Sequence, residues 1–269
     1  MNMITRPAPE PGIHRMPEDD YHASPGLSVS KLKVFADAPA KAQFGERSET
    51  SSQRFGSLIH CAVLESADLE NRYFVCDLER LNPRDGAYKE AQAKAGHRTL
   101  VKRPDWDEAL RIRDAVHQHP IARELLGKNL LVEQSFYWKD EMTGLLRRGR
   151  ADGLRPDMRV IVDLKSTTDA SRYGFARSVA EYRYHWQDAY YRDGIKAIAW
   201  EPEAFIFLAV EKEPPFLVGA YEVPEEDLQR GRERVREELT RYAECVRTNN
   251  WPGYSDTLET LHLPEWAHR

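Results

Sequence analysis

The sequence predicts an α/β domain built on a mixed central β-sheet flanked by helices. Three observations carry this. The amino-terminal half reads as helices, and the texture turns β-branched and aromatic at Leu130. Two short apolar runs, RVIVDL over 159–164 and AFIFLAV over 204–210, suit strands covered on both faces. The resulting order is helices, three strands of antiparallel type, a helix, two strands and a last helix.

Taken in order, residues 1–11 are proline-rich and read as a flexible lead-in, with 12–269 as one domain. Gly12 to Gly26 is turn-rich. Ser28 or Ser30 is placed to cap a helix carrying Leu32, Val34 and Phe35, which stops or restarts at Pro39. From Ser52 to Leu64, the residues Phe55, Leu58, Ile59, Ala62 and Val63 recur at helical spacing and form a core-facing stripe. Tyr73 to Cys76 suits a short strand. Residues 85–126 are polar, helical in texture and broken at Pro104 and Pro120, which predicts a helical insertion. Leu131–Trp138 and Leu145–Leu154 form a hairpin around a turn through Asp140–Gly144. Ala170–Ala199 is mainly helical, and Phe216–Val223 is a strand beside 204–210. Pro224, at the first helical position, opens a charged amphipathic helix to Thr248. The tail, with Trp251, Leu261, Leu263 and Trp266, is expected to dock on the body.

Composition narrows the function classes. No window approaches the roughly 18 consecutive apolar residues of a membrane span, and the amino terminus lacks a signal-peptide core, so no membrane partner and a cytoplasmic location are expected. Cys61, Cys76 and Cys245 are too few and too scattered for a disulfide framework or a four-cysteine cluster. The formal charge is −5, from 39 basic and 44 acidic residues. By itself that balance disfavours a nonspecific polyanion binder. The basic residues, however, gather near the motifs below: Arg54, Arg147, Arg148, Arg150, Arg172, Arg177 and Arg183.

Strand parity indicates where chemistry could assemble. Asp163 and Lys165 emerge side by side at the end of one strand, Arg148, Arg150 and Asp152 share a face of the second, and Glu133, Ser135 and Tyr137 share a face of the first. If these strands form a meander, Glu133, Asp152, Asp163 and Lys165 converge. Grouped carboxylates repel and call for a cation, and hard oxygen ligands suit magnesium or manganese. An ammonium alongside suits hydrolysis of a phosphodiester. The alternative is a strand-end ion pair of no consequence. In YRYHWQDAYY (182–191), Gln187 and Tyr191 share a helical face and could bond phosphate oxygens, whereas Trp186 and Tyr190 also fit plain core packing.

Asp152, Asp163-Leu164-Lys165 and Gln187-x-x-x-Tyr191, with His60 upstream in FGSLIH, resemble the PD-(D/E)XK nuclease superfamily in its RecB-like form. The resemblance extends to the RecE-type (exonuclease VIII) nuclease domain. It rests on DDYHASPGLSVSKL, FGSLIHCAVLE, QSFYWKDEMTGLLRRGRADGL, VDLKSTTDASR, YRYHWQDAYYRDG and NNWPGYSDTLETLHLPEWA, and runs from about Gly12 to Ala267. Ala151 stands where the superfamily has its motif proline.

The resemblance implies a PD-(D/E)XK core and roles at the matched positions. His60, Asp152, Asp163 and the Leu164 backbone carbonyl would ligate Mg2+, with Mn2+ able to substitute. Lys165 would orient the attacking water, Glu133 would support metal or water, and Gln187 and Tyr191 would hold the substrate strand or the lysine. Arg54, Arg148, Arg150, Arg172 and Arg183 would track DNA. The implied activity is 5′→3′ digestion of linear double-stranded DNA from its ends, leaving 3′ single strands for recombination. A ring-shaped homo-oligomer and a RecT-like single-strand annealing partner would go with it. The alternatives are an endonuclease or single-strand-specific DNase of the same fold, and a non-catalytic DNA-binding protein.

Overall fold

The computed structural model describes residues 9–46 and 50–263. Strand β1 (Gly12–His14), helix α1 (Glu18–Ala23) and strand β2 (Leu27–Ser28) lead into helices α2 (Val29–Asp37), α3 (Pro39–Phe44) and α4 (Ser51–Leu64). A turn of 3₁₀-helix, α5 (Leu69–Arg72), β3 (Tyr73–Cys76), α6 (Gly86–Ala95), β4 (Thr99–Lys102), α7 (Arg103–Gln118) and α8 (Pro120–Leu125) follow. Then come β5 (Leu131–Lys139), β6 (Leu146–Arg155), β7 (Val160–Thr167), α9 (Arg172–Glu181) and α10 (Tyr184–Ile198). The last elements are β8 (Ala204–Glu211), β9 (Val218–Tyr221) and α11 (Glu225–Thr248).

The main sheet runs β1-β5-β6-β7-β8-β9, with β2 also paired to β6. It is mixed: β7 and β8 are parallel, as are β2 and β6, while β5–β6 and β6–β7 are antiparallel. One face packs Leu32, Phe35, Phe175, Trp186 and Tyr190 against Ile161, Phe205 and Phe207. The other packs Leu58, Ile59, Ile112 and Val116 against Val162, Leu164 and Leu208. Period-two alternation along β7 and β8 thus feeds two cores, and these two strands carry almost no polar side chains except where chemistry is expected.

One irregularity positions everything that follows. Beyond the pair Gly153–Val162, β7 leaves β6, and the same edge of β6 is next taken up by β2 at Arg147 and Arg148. The stretch of β6 between these two partners, containing Arg150 and Asp152, faces a gap in the sheet.

Several sequence expectations need correction. The turn-rich segment 12–26 holds β1, α1 and β2; strands of three and two residues are too short to leave a periodic trace. Within 85–126, Thr99–Lys102 is a strand, paired in parallel with β3 and burying Leu100 and Val101. Pro224 is the N-cap of α11 and not its first helical residue, and Glu225, Glu226 and Asp227 fill the first turn, where negative charge suits the helix dipole. Of the tail, Trp251 packs edge-on to Phe35 and Tyr242, but Leu261 and Leu263 are exposed. Residues 1–8 of the lead-in and Trp266 lie outside the described residues. Ser28 caps α2 by accepting from the Lys31 amide, Trp186 and Tyr190 are core residues, and the three cysteines are free and buried. No helix among the described residues is long and apolar enough to cross a membrane.

Candidate metal-dependent active site

The gap beside β6 gathers side chains from both faces of the sheet. Helix α4 starts with a capping box between Thr50 and Gln53, and Leu58, Ile59, Ala62 and Val63 clamp it onto the sheet. That fixes His60 on the flank facing the gap, with Nδ1 3.5 Å from Asp152 Oδ2. Glu133 enters from β5 with φ +54°, a left-handed conformation that costs a non-glycine residue roughly 1–2 kcal/mol. The strained residue stands between the pairs Val132–Gly153 and Gln134–Ala151, opposite Asp152. One ligand atom each from His60, Glu133 and Asp152 lie within 4.8 Å of one another.

Where β7 has parted from β6, side chains replace the lost ladder. The Leu164 amide donates to Asp152 Oδ2 at 2.7 Å, and Tyr191 Oη donates to the Arg150 carbonyl at 2.9 Å. Both backbone groups are thereby satisfied without a neighbouring strand. Asp163, almost fully buried, forms the second half of the site. Its Oδ1 accepts from Gln187 Nε2 at 2.5 Å and its Oδ2 is ion-paired with Lys165. Lys165 Nζ lies 4.8 Å from the centre of the Tyr184 ring.

Burial and mutual repulsion set the protonation of this cluster. Burial, followed by the charge of Asp163, pushes Asp152 up to about 7, against the pull of Lys165 and the Leu164 amide. Burial and the neighbouring Asp152 push Glu133 up to about 7, against Arg150. His60 is lowered by burial and by Lys165, although hydrogen bonding to the Leu164 backbone works the other way. Burial opposes the Lys165 ammonium, but Asp163 and Asp152 outweigh it and its pKa is raised. Two carboxylates whose pKa values burial raises to about 7, beside an imidazole whose pKa burial lowers, are donors suited to a divalent cation. His60, Glu133 and Asp152 therefore fit a hard metal ion with oxygen-rich coordination.

The expected site residues divide three ways. His60, Glu133 and Asp152 converge, with the backbone of Leu164 against them. Asp163 is adjacent but held by Lys165 and Gln187, and is not one of the close trio. Gln187 and Tyr191, expected to hold the substrate strand or the lysine, bond respectively the Asp163 carboxylate that pairs with Lys165 and the Arg150 carbonyl of β6. Of the arginines expected to track DNA, Arg148, Arg150 and Arg183 have partners within the protein. Arg150 bonds Glu133, Ser135 and the Met16 carbonyl. Arg148 is held by Ser24 and the Tyr21 carbonyl, with its guanidinium 4.7 Å from the Tyr21 ring. Arg147 lies between Trp138 and Tyr190, and Arg183 bonds Asp37 and the Lys33 carbonyl. A guanidinium with five donors is readily captured by carbonyls and rings nearby. Arg54 and Arg172 are exposed, as expected for groups that could meet a polyanion.

Two groups were not anticipated. Tyr184 walls Lys165. Lys33 reaches the same ring from α2, at 5.3 Å, and burial together with Lys165 lowers its pKa to about 7. The signal for Lys33 was present in the sequence. Val29, Leu32 and Ala36 set a helical stripe in which position 33 is the missing apolar member.

Comparison with known proteins agrees with the fold. A family model described as a PDDEXK-like domain of unknown function (DUF3799) matches residues 28–264. The structure of a candidate exonuclease from Eubacterium rectale is similar over 93% of this chain and 96% of its own, with TM-score 0.63 and 16% identity. That of a phage-related exonuclease from Haemophilus somnus 129PT aligns over 84% and 97%, with TM-score 0.38 and 12% identity. No curated protein matches the chain.

Proposed function

This chain belongs to the PDDEXK-like DUF3799 family, and from that premise we propose that it is a divalent-metal-dependent exodeoxyribonuclease. The observation that carries the reading is the meeting, in one gap of the sheet, of the His60–Glu133–Asp152 trio with the Asp163–Lys165 ion pair. Enzymes of this fold use divalent metal ions. We assign Mg2+ to this site, with Mn2+ as a substitute, because the donors are hard oxygens and one imidazole. When bound, such an ion would neutralise charge on the scissile phosphate and so favour attack by water.

The chain's own groups do the rest. Asp152 and Glu133 would hold the ion as carboxylates, their protons released to solvent, and His60 would be a neutral nitrogen donor. Lys165, fixed by Asp163 and screened by Tyr184, donates to the attacking water and to a phosphate oxygen. The water oxygen bonds to phosphorus as it loses a proton to solvent, one P–O ester bond breaks, and the departing oxygen takes up a proton from solvent water. Gln187 keeps Asp163 in place, and Tyr191 keeps the β6 backbone in place.

Digestion from the ends of linear duplex, with 5′→3′ polarity and 3′ single-stranded products for recombination, follows from the RecE-type resemblance. The exonuclease name of the Eubacterium rectale neighbour is in keeping with it. On the same ground the working form is a homo-oligomeric ring in the cytoplasm, acting with a RecT-like annealing protein. Linear duplex labelled at its 5′ or 3′ ends, digested with Mg2+, tests this. Early release of the 5′ label, sparing of covalently closed circles and arrest by EDTA are expected. Cleavage of closed circles would instead establish an endonuclease, and activity undiminished by EDTA would overturn the metal site.

A further inference from the structure

We propose that Lys33 is a second substrate-contacting cation of this site, holding a phosphodiester oxygen of the nucleic-acid backbone next to the phosphate served by Lys165. The inference rests on the nuclease reading above and adds to it a residue outside the expected motif.

Lys33 is placed by the same irregularity that opens the gap. β2 fills the β6 edge that β7 abandons, and Ser28, its last residue, caps α2. Leu32 and Phe35, fully buried, then fix the helix against the sheet. That geometry turns position 33 inward, over Tyr184, whose ring lies 5.3 Å from Lys33 Nζ and 4.8 Å from Lys165 Nζ. Two ammonium groups are thus brought to one aromatic ring.

The charges around them do not balance. The groups that act on Lys33 are Lys165, Asp163 and Arg183. Asp163 is already engaged by Lys165 and Gln187, and Arg183 is paired with Asp37. Among the described residues Lys33 has no ion pair; the Tyr184 ring faces its ammonium, and the His185 imidazole is close enough to feel its charge, which lowers the His185 pKa further. A half-buried ammonium without an anion is costly, and a methionine or leucine would complete the α2 stripe better. Folding does not explain the lysine, but an anionic ligand does. The two lysines thus stand together on Tyr184, beside the trio of His60, Glu133 and Asp152, with one carboxylate, Asp163, between the two ammonium groups and already engaged. A backbone running from the metal trio towards Tyr184 would bring successive phosphates to the two ammonium groups.

The test measures affinity for a short labelled duplex, with Ca2+ replacing Mg2+ to hold turnover, across a series of salt concentrations. Lys33→Met should lose roughly tenfold in affinity, and the slope of log K against log salt should fall by about one. Lys33→Arg should keep both within about twofold. The melting temperature of Lys33→Met should equal or exceed that of the wild type, since an unpaired cation is exchanged for an apolar chain. A folded Lys33→Met protein with wild-type affinity and slope overturns the inference and leaves the nuclease reading intact. Wild-type protein that neither binds nor cuts DNA overturns both.

Discussion

Asp152 and Leu164 are joined across two strands that have come apart: the carboxylate accepts the Leu164 amide hydrogen at 2.7 Å just beyond the last strand pair, Gly153 with Val162. One side chain therefore closes the sheet and faces the proposed metal. The two jobs can be separated. Asp152→Asn retains an acceptor for the amide and sheds a charge that burial disfavours, so it should fold with unchanged or slightly higher stability. Cleavage should fall at least about 100-fold, because a charged metal donor is gone. Asp152→Ala should lose the activity and also about 1–2 kcal/mol, since the buried amide is left unpaired. Chemical denaturation and timed digestion distinguish the two variants.

Metal-free protein should become less stable as pH rises. Folding raises Glu133 from 4.5 to about 7 and Asp152 from 3.8 to about 7, mainly through burial. The folded state therefore binds more protons than the unfolded state between these limits, and ∂ΔG/∂pH is negative there. The stability contribution is full below about pH 4 and lost as pH passes 7. Thermal melts in EDTA should fall from pH 5 to pH 8, and Mg2+ or Mn2+ should restore the loss most at pH 8. A melting temperature that is flat across this range with EDTA would contradict the assigned protonation.

Gln187→Ala removes the amide donor to Asp163 Oδ1 in a buried setting. It should cost about 1–3 kcal/mol of stability and lower kcat roughly tenfold, with KM little changed, because Asp163 and Lys165 lose their alignment. Gln187→Glu should be worse, since it places a second carboxylate against Asp163.

Tyr191→Phe keeps the ring and removes the hydroxyl that serves the Arg150 carbonyl. About 1 kcal/mol of stability should be lost, with turnover per folded molecule within about threefold of the wild type. A loss of 100-fold or more would return Tyr191 to a substrate-contacting role.

The arginines give a matched pair. Arg148→Ala should destabilise the fold, because it strips partners from Ser24 and the Tyr21 carbonyl, and should leave the salt slope of DNA binding unchanged. Arg54→Ala should do the reverse, leaving the melting temperature unchanged and lowering the salt slope by about one.

The sequence by itself determined the elements and the donor types. The apolar runs RVIVDL and AFIFLAV placed the central strands and the stripe from Phe55 to Val63 placed the helix that carries His60, while the family resemblance marked Asp152, Asp163, Lys165 and His60 as an ordered set. These are local patterns, fixed by side-chain periodicity and chemistry within a few residues. Tertiary structure alone decided how the set divides. The parting of β7 from β6 puts Asp152 with His60 and Glu133 and leaves Asp163 to Lys165 and Gln187. The positive φ of Glu133 and the insertion of β2 beside Arg147 have no periodic signature, because each is a single break in a ladder made by distant segments. The same holds for the arginines. Their number was visible in the sequence, but whether a guanidinium meets solvent or a carbonyl more than a hundred residues away depends on which strands become neighbours.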